Sequence, residues 1–228
     1  MLKIAHRGAS GYALENSFEA FDKALEFNVD MLECDVRATK DKKLILMHDK
    51  RIDRTSDGNG RVSEINLSEF KEIKLENGQD VPTLEHFILR YKGKVKMMWD
   101  VKINGVAPKL VNLIKKYKIH DSVVVCFVYG SLLLDLLIRD SEIQTAIYFD
   151  IYSYIRYIFV RKLFVLPAKL VGANIVSLHY RFVDKKIIDL AHKNNLKIYV
   201  FSPSKKDDIN KLKSFAVDGI ISNYPDRI

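Results

Sequence analysis

Apolar runs of strand length alternate with helical patterns along nearly all 228 residues, which predicts an α/β chain built as a (β/α)8 TIM barrel with a small insertion after the third strand. Two further observations favour closure into a barrel over an open sheet. Nine strand-like runs are present for the eight places of a barrel, and the chemically loaded polar residues gather at the ends of those runs.

The elements follow in order. Residues 3–5 open as a short strand, and 15–27 form a helix with Phe18, Phe21, Ala24 and Leu25 at helical spacing. Strands at 31–36 and 44–47 come next. Between about 51 and 81 the chain turns polar, with Asp57-Gly58-Asn59-Gly60 as turn punctuation and a short helix near 67–73, so this stretch reads as an insertion over one end of the sheet. Pro82 in a first turn starts a helix through Tyr91. Strand 95–101, helix 107–117, strand 123–128, helix 131–139 and strand 144–149 follow. After an aromatic stretch, strand 174–178, helix 183–194, strand 197–202, helix 205–215 and strand 219–222 complete one domain spanning 1–228. With nine runs for eight places, either 44–47 or 144–149 is expected to lie outside the barrel.

Composition narrows the classes. With 48% hydrophobic and 29% charged residues the chain is globular, and no Gly-, Ser- or Pro-rich linker divides it. The formal charge of +8 favours anionic partners, but the lysines are spread over helical segments as a solvated face would be, and no nucleic-acid-binding signature accompanies them. Cys34 and Cys126 sit in apolar strand-like runs, where a reduced, buried thiol is the usual occupant. The first residues lack an apolar segment followed by a cleavage site, which gives a cytoplasmic expectation. The stretch 147–171 is rich in Ile, Tyr and Phe but is broken by Asp150, Arg156, Arg161, Lys162, Pro167 and Lys169. It is too interrupted to span a bilayer, and packing on the barrel is favoured over peripheral membrane contact.

Two strands carry the chemistry. Side chains alternate along a strand, so Glu33 and Asp35 emerge on one face, as do Asp100 and Lys102. Three carboxylates cannot share a buried surface uncompensated, and a divalent cation is the simplest compensation. Hard oxygen ligands suit Mg²⁺ or Ca²⁺ better than Zn²⁺. In a barrel the C-terminal strand ends share one face, which brings His6 and Arg7 after the first strand together with His48 after the third and Phe201-Ser202 late in the chain. Two imidazoles, a cation site and two basic groups suit displacement at a phosphodiester, one imidazole taking a proton while the other gives one. His86, His120 and His192 read as structural residues without charged companions, and His179 as a residue that could line the mouth.

The run from His6 through Ser17 (HRGASGYALENS), with Glu33-Cys34-Asp35-Val36 and Leu46-Met47-His48-Asp49, resembles the glycerophosphodiester phosphodiesterase family. So do Arg54 through Gly60, Val81-Pro82-Thr83-Leu84 and Val217 through Asp226, in order over nearly the whole chain. The resemblance implies His6 and His48 as general acid and base, and Arg7 and Lys102 as phosphate contacts. It implies Glu33 and Asp35 as metal ligands, with Asp100 where the family usually has Glu. Glu15 matches a motif position that either binds metal or holds a ligand in place. The implied reaction is attack of the glycerol 2-hydroxyl on phosphorus with release of an alcohol, then hydrolysis of the cyclic phosphate to glycerol 3-phosphate. Mg²⁺ or Ca²⁺ would be the cofactor, with Mn²⁺ as a further candidate, and a small glycerophosphodiester the substrate. Phe201-Ser202 stands where the family often has Trp-Thr, which keeps an aromatic substrate wall. The alternatives are phospholipase D-like action on lysophospholipids, favoured by the basic charge and the aromatic stretch, and a binding module that has lost turnover.

Overall fold

The computed structural model describes residues 1–127, 130–149 and 164–228. Its strands are β1 (Leu2–Ala5), β2 (Met31–Ala38), β3 (Leu44–Leu46), β4 (Lys96–Val101), β5 (Val123–Phe127), β6 (Gln144–Phe149), β7 (Ile175–His179), β8 (Lys197–Phe201) and β9 (Gly219–Ser222). Around the ring the order is β1, β2, β4, β5, β6, β7, β8, β9, all parallel, and pairing of β1 with both β2 and β9 closes it. The eight-stranded barrel expected from the alternation is therefore present.

β3 is the one of the two candidate runs that lies outside the barrel. It runs antiparallel to β2, with Val36 opposite Leu46 and Ala38 opposite Leu44, so it is a flap on the outside of the ring and not the third barrel strand. The run 144–149 takes a barrel place instead. Ile45 and Met47 pack with Ile52, Val62, Phe70, Leu75 and Val81 in a small apolar cluster separate from the barrel core. The flap and the polar excursion thus support each other.

The helices are α1 (Phe18–Glu26), α2 (Leu67–Phe70), α3 (Leu84–Tyr91), α4 (Ala107–Tyr117), α5 (Gly130–Arg139), α6 (Val165–Leu170), α7 (Lys185–Lys193) and α8 (Lys206–Ser214). Capping explains where several of them start. Ser17 accepts from Ala20 N–H, so α1 begins three residues after Glu15, and Glu15 and Asn16 stay in the loop where their side chains reach the site. Thr83 accepts from His86 N–H, which leaves Pro82 before the cap and outside the first turn. Asp184 likewise caps α7 at Ile187. Residues 150–163 of the expected aromatic surface stretch lie outside the described residues.

Strand alternation divides the apolar side chains into two cores. Outward residues such as Leu32, Cys34, Val36, Trp99 and Val101 meet the helices, while Ile4, Met31, Met98, Val124, Cys126, Ala146, Ile175, Tyr199, Phe201 and Ile221 fill the barrel interior. Burial on both faces is what a fully parallel sheet requires. Against this apolar filling, the charged side chains of β2 and β4 stand out.

Candidate active site

Asp35 and Asp100 are register partners across β2 and β4, and Glu33 lies one inward step below Asp35. All three are buried, at 3%, 0% and 8% exposure for Glu33, Asp35 and Asp100. Each offers an oxygen within 4.8 Å of the others, an arrangement that could hold a metal ion. Asp35 Oδ1 and Asp100 Oδ1 are buried without a hydrogen bond. The Asp100 oxygen without a hydrogen bond and the three clustered carboxylates are what a hard cation would complete, so the residues fit a divalent ion bound through oxygen.

The neighbouring positive groups compensate part of this charge. Lys102 Nζ lies 3.0 Å from Asp35 Oδ1 and donates to Asp100 Oδ2. Arg7 Nε stands 2.9 Å from Asp35 Oδ2, close enough for charge attraction but out of line for a hydrogen bond. Burial raises the Asp35 carboxyl, yet Lys102 and Arg7 outweigh it and hold the group well below the usual carboxylate range. Glu33 is pushed well up by burial and by the nearby Asp35 and Asp100. Burial also raises Asp100, with Lys102 opposing. The acidic cluster is thus short of positive charge by itself.

Local backbone geometry aims Arg7. Its φ of 57° is left-handed, and its N–H donates to Glu33 Oε2 at 2.8 Å while its guanidinium reaches Glu15 at 3.2 Å. Gly8 follows with φ 82°, and a Cβ there would fall 2.5 Å from the Ala20 carbonyl carbon. Only glycine lets the loop lie this close to α1.

Asn16, also left-handed with φ 56°, fills a gap in the strand pairing. β1 pairs with β2 only as far as Leu32, and β3 begins its pairing at Val36. In between, Asn16 Oδ1 accepts from Asp35 N–H at 3.0 Å and Asn16 Nδ2 donates to Asp35 Oδ2 at 2.9 Å. The Asp35 carbonyl accepts from Met47 N–H at 3.0 Å, which brings the end of the β3 flap to the mouth. His48 arrives by this route and not from the end of a barrel strand. Arg37 fixes it further by donating to the His48 carbonyl at 2.8 and 2.6 Å.

His6 and His48 line the same cavity of about 100 Å³, together with Arg7, Glu33, Asp100, Lys102, Tyr148, Ser177 and Phe201. The two rings are oriented differently. His6 Nδ1 donates to Asn223 Oδ1 at 2.6 Å, and burial, then Arg7, lowers the ring to about 4. His48 Nδ1 donates to the Asp49 carboxylate at 2.7 Å. Arg54 ties this edge together, giving one hydrogen bond to Asp49 and one to Glu15, each 2.5 Å long. Glu15 is therefore held by two arginines beside the carboxylate cluster. Phe201 stacks on Tyr148 with ring centroids 4.6 Å apart, and Lys102 lies 5.9 Å from the Tyr148 ring centre.

Residues 6–227 match the sequence model of the glycerophosphoryl diester phosphodiesterase family. The chain belongs to this family. Among its relatives, YhdW of Bacillus subtilis (strain 168) is 30% identical over 240 residues, covering 100% of this chain and 96% of the relative. The glycerophosphodiester phosphodiesterase of Caldanaerobacter subterraneus subsp. tengcongensis is 27% identical over 244 residues, again 100% of this chain and 96% of the relative. The barrel is similar to that of a glycerophosphodiester phosphodiesterase from Agrobacterium tumefaciens str. C58, with a TM-score of 0.86, 24% identity and coverage of 100% and 98% of the two chains. An Oleispira antarctica phosphodiesterase solved in complex with the product sn-glycerol-3-phosphate shares the fold at a TM-score of 0.84 and 22% identity, with 99% and 94% covered.

In this member of the phosphodiesterase family Asn16, Asn223 and Arg54 support the site without a periodicity that marks them in the sequence, although all three fall inside the motif runs. Tyr148 and Ser177 were not among the expected site residues, and the inward phase of their strands was the available signal. His179 does not line the cavity; it packs edge-on to Phe201 at 5.3 Å. His120 and His192 do have charged companions, Asp140 at 3.0 Å and Asp218 at 2.8 Å, but at the opposite end of the barrel, where β5 and β9 begin.

Proposed function

We propose that the protein hydrolyses glycerophosphodiesters to glycerol 3-phosphate and an alcohol, with a divalent cation, Mg²⁺ or Ca²⁺, held by Glu33, Asp35 and Asp100. The observation that carries this reading is the convergence of both imidazoles, both cationic side chains and two of the clustered carboxylates, Glu33 and Asp100, on one cavity, with Asp35 beside them. When bound, the cation would supply Lewis acidity to phosphoryl oxygens.

The chain's own residues account for the proton transfers. His6 is neutral near pH 7, and with its Nδ1–H held by Asn223 the accepting nitrogen is Nε2, which suits removal of the proton from the glycerol 2-hydroxyl. The hydroxyl oxygen then bonds to phosphorus as the P–O bond to the alcohol breaks. The Asp49 carboxylate accepts from His48 Nδ1 and fixes the ring, so its Nε2 suits delivery of a proton to the departing alcohol oxygen. Water opens the resulting cyclic phosphate with the two roles reversed. Arg7 and Lys102 stabilise charge on the phosphoryl oxygens, and the stacked Tyr148 and Phe201 wall off bulk water. Glu15 acts through its grip on Arg7 and Arg54.

The test is product analysis across a panel of head groups and cations. Glycerophosphocholine with Mg²⁺, Ca²⁺ or Mn²⁺ is expected to give glycerol 3-phosphate and choline, and faster than lysophosphatidylcholine is turned over. No product from any water-soluble glycerophosphodiester with any of the three ions refutes the reading. No helix among the described residues is long and apolar enough to cross a membrane.

A further inference from the structure

One wall of the cavity has no role in the chemistry above. β7 stands four places from β2 in either direction round the ring, so it faces the carboxylate strand across the barrel. Its inward residues are Ile175, Ser177 and His179, and Ser177 lines the cavity. Ser177 is 1% exposed and its Oγ has no hydrogen-bond partner. Two other buried neutral groups lack partners, Trp99 Nε1 and Thr145 Oγ1, but strand alternation turns both outward toward the helices. Ser177 therefore holds the one unpartnered neutral group of this kind, among the described residues, on a side chain that faces the site.

Its surroundings define what could satisfy it. Met98, Cys126 and Ile221 share the lining and are apolar or weakly polar; Met98 lies one inward step below Asp100, and Cys126 is the register partner of Asp100 on β5. A cavity of about 100 Å³ exceeds the roughly 10–15 Å³ that one water needs, so a group of several heavy atoms fits. The anionic phosphoryl group belongs with Arg7, Lys102 and the carboxylate-bound cation on the β1, β2 and β4 side. The alcohol of a glycerophosphodiester varies and needs the open mouth. The constant glycerol arm is left for the buried β7 wall opposite β2, and its terminal hydroxyl can both give and accept a hydrogen bond, as a serine can.

We propose that Ser177 is a substrate-binding residue whose hydroxyl hydrogen-bonds the terminal hydroxyl of the glycerol arm and so selects glycerol over less hydroxylated arms. The inference rests on the phosphodiesterase reading of the same cavity. A site built to pair a substrate hydroxyl discriminates against analogues that lack it, because its own polar group is then left unpaired.

The test compares kcat/KM for glycerophosphocholine and for its 1-deoxy analogue, which lacks only the terminal hydroxyl and keeps the attacking 2-hydroxyl, in the wild type and in Ser177→Ala. The wild type is expected to prefer the glycerol substrate by about tenfold or more, as one well-made hydrogen bond allows. In Ser177→Ala the preference is expected to fall to within about twofold of unity, through a higher KM for the glycerol substrate. The ligand-free variant is expected to melt no lower than the wild type, since the hydroxyl it loses has no partner. An undiminished preference in Ser177→Ala overturns the inference while leaving the phosphodiesterase reading intact. A lower melting temperature with equal losses on both substrates also overturns it, by assigning Ser177 a structural role. Absence of turnover by the wild type refutes the parent reading and the inference together.

Discussion

Asn16→Ala is the most informative single change, because the Asn16 side chain hydrogen-bonds Asp35 alone. The substitution removes a hydrogen bond to a carboxylate, a loss of about 1.5–3 kcal/mol. It also leaves the buried Asp35 N–H without its acceptor, at about 1–3 kcal/mol. Alanine at a φ of 56° adds about 1–2 kcal/mol of left-handed strain. The lower ends together come to about 3.5 kcal/mol, which for a chain of this length lowers the melting temperature by roughly 7–14 °C. Since Asp35 is then poorly oriented, cation affinity should fall by roughly 10- to 100-fold. Thermal unfolding followed by circular dichroism in chelator measures the first effect, and calorimetric titration with Mg²⁺ and Mn²⁺ the second. A shift under about 2 °C with affinity unchanged would refute the role given to the Asn16 carboxamide.

Other perturbations probe the imidazoles, the cation and the Gly8 turn separately. His6→Ala and His48→Ala should each lower turnover at least about 100-fold while leaving cation affinity within a few-fold of the wild type, as rapid-quench kinetics and titration would show. Chelation should abolish hydrolysis and lower the melting temperature, and re-added ion at about 100 times its dissociation constant should restore about 2.7 kcal/mol of stability. In chelator, protons bind His6 more readily in the unfolded chain than in the folded one, so stability should fall as pH drops from about 6.5 toward about 4, by on the order of 3 kcal/mol overall. That loss should be absent from urea titrations of His6→Gln. Gly8→Ala combines a 2.5 Å backbone clash with a left-handed φ and should cost about 3 kcal/mol or more by urea unfolding.

Much of this architecture was legible because parallel strands buried on both faces leave continuous apolar runs, and because the period of two put Glu33, Asp35, Asp100 and Lys102 on one side. The flap strand was not legible as such. Leu44, Ile45 and Leu46 are all buried, so their composition is that of a barrel strand, and the antiparallel direction is set by a tight reversal at Thr39 through Lys43 that hydropathy does not encode. The convergence of His6 and His48 was anticipated, but by the wrong route for His48. It comes from the Met47 to Asp35 backbone bond and the Arg37 grip, neither of which has a sequence period. Asn16 was hidden for a related reason: a side chain that replaces a missing strand partner becomes visible only when the ends of β1 and β3 are known.

Carboxylates from β2 and β4 are expected to trap one divalent cation beside two imidazoles. Anomalous diffraction from crystals soaked in Mn²⁺ tests this most directly. The predicted result is a single strong peak bounded by Glu33, Asp35 and Asp100. A map without density there, or with manganese only at the half-exposed His120, Asp140 and Glu142 cluster, would contradict it.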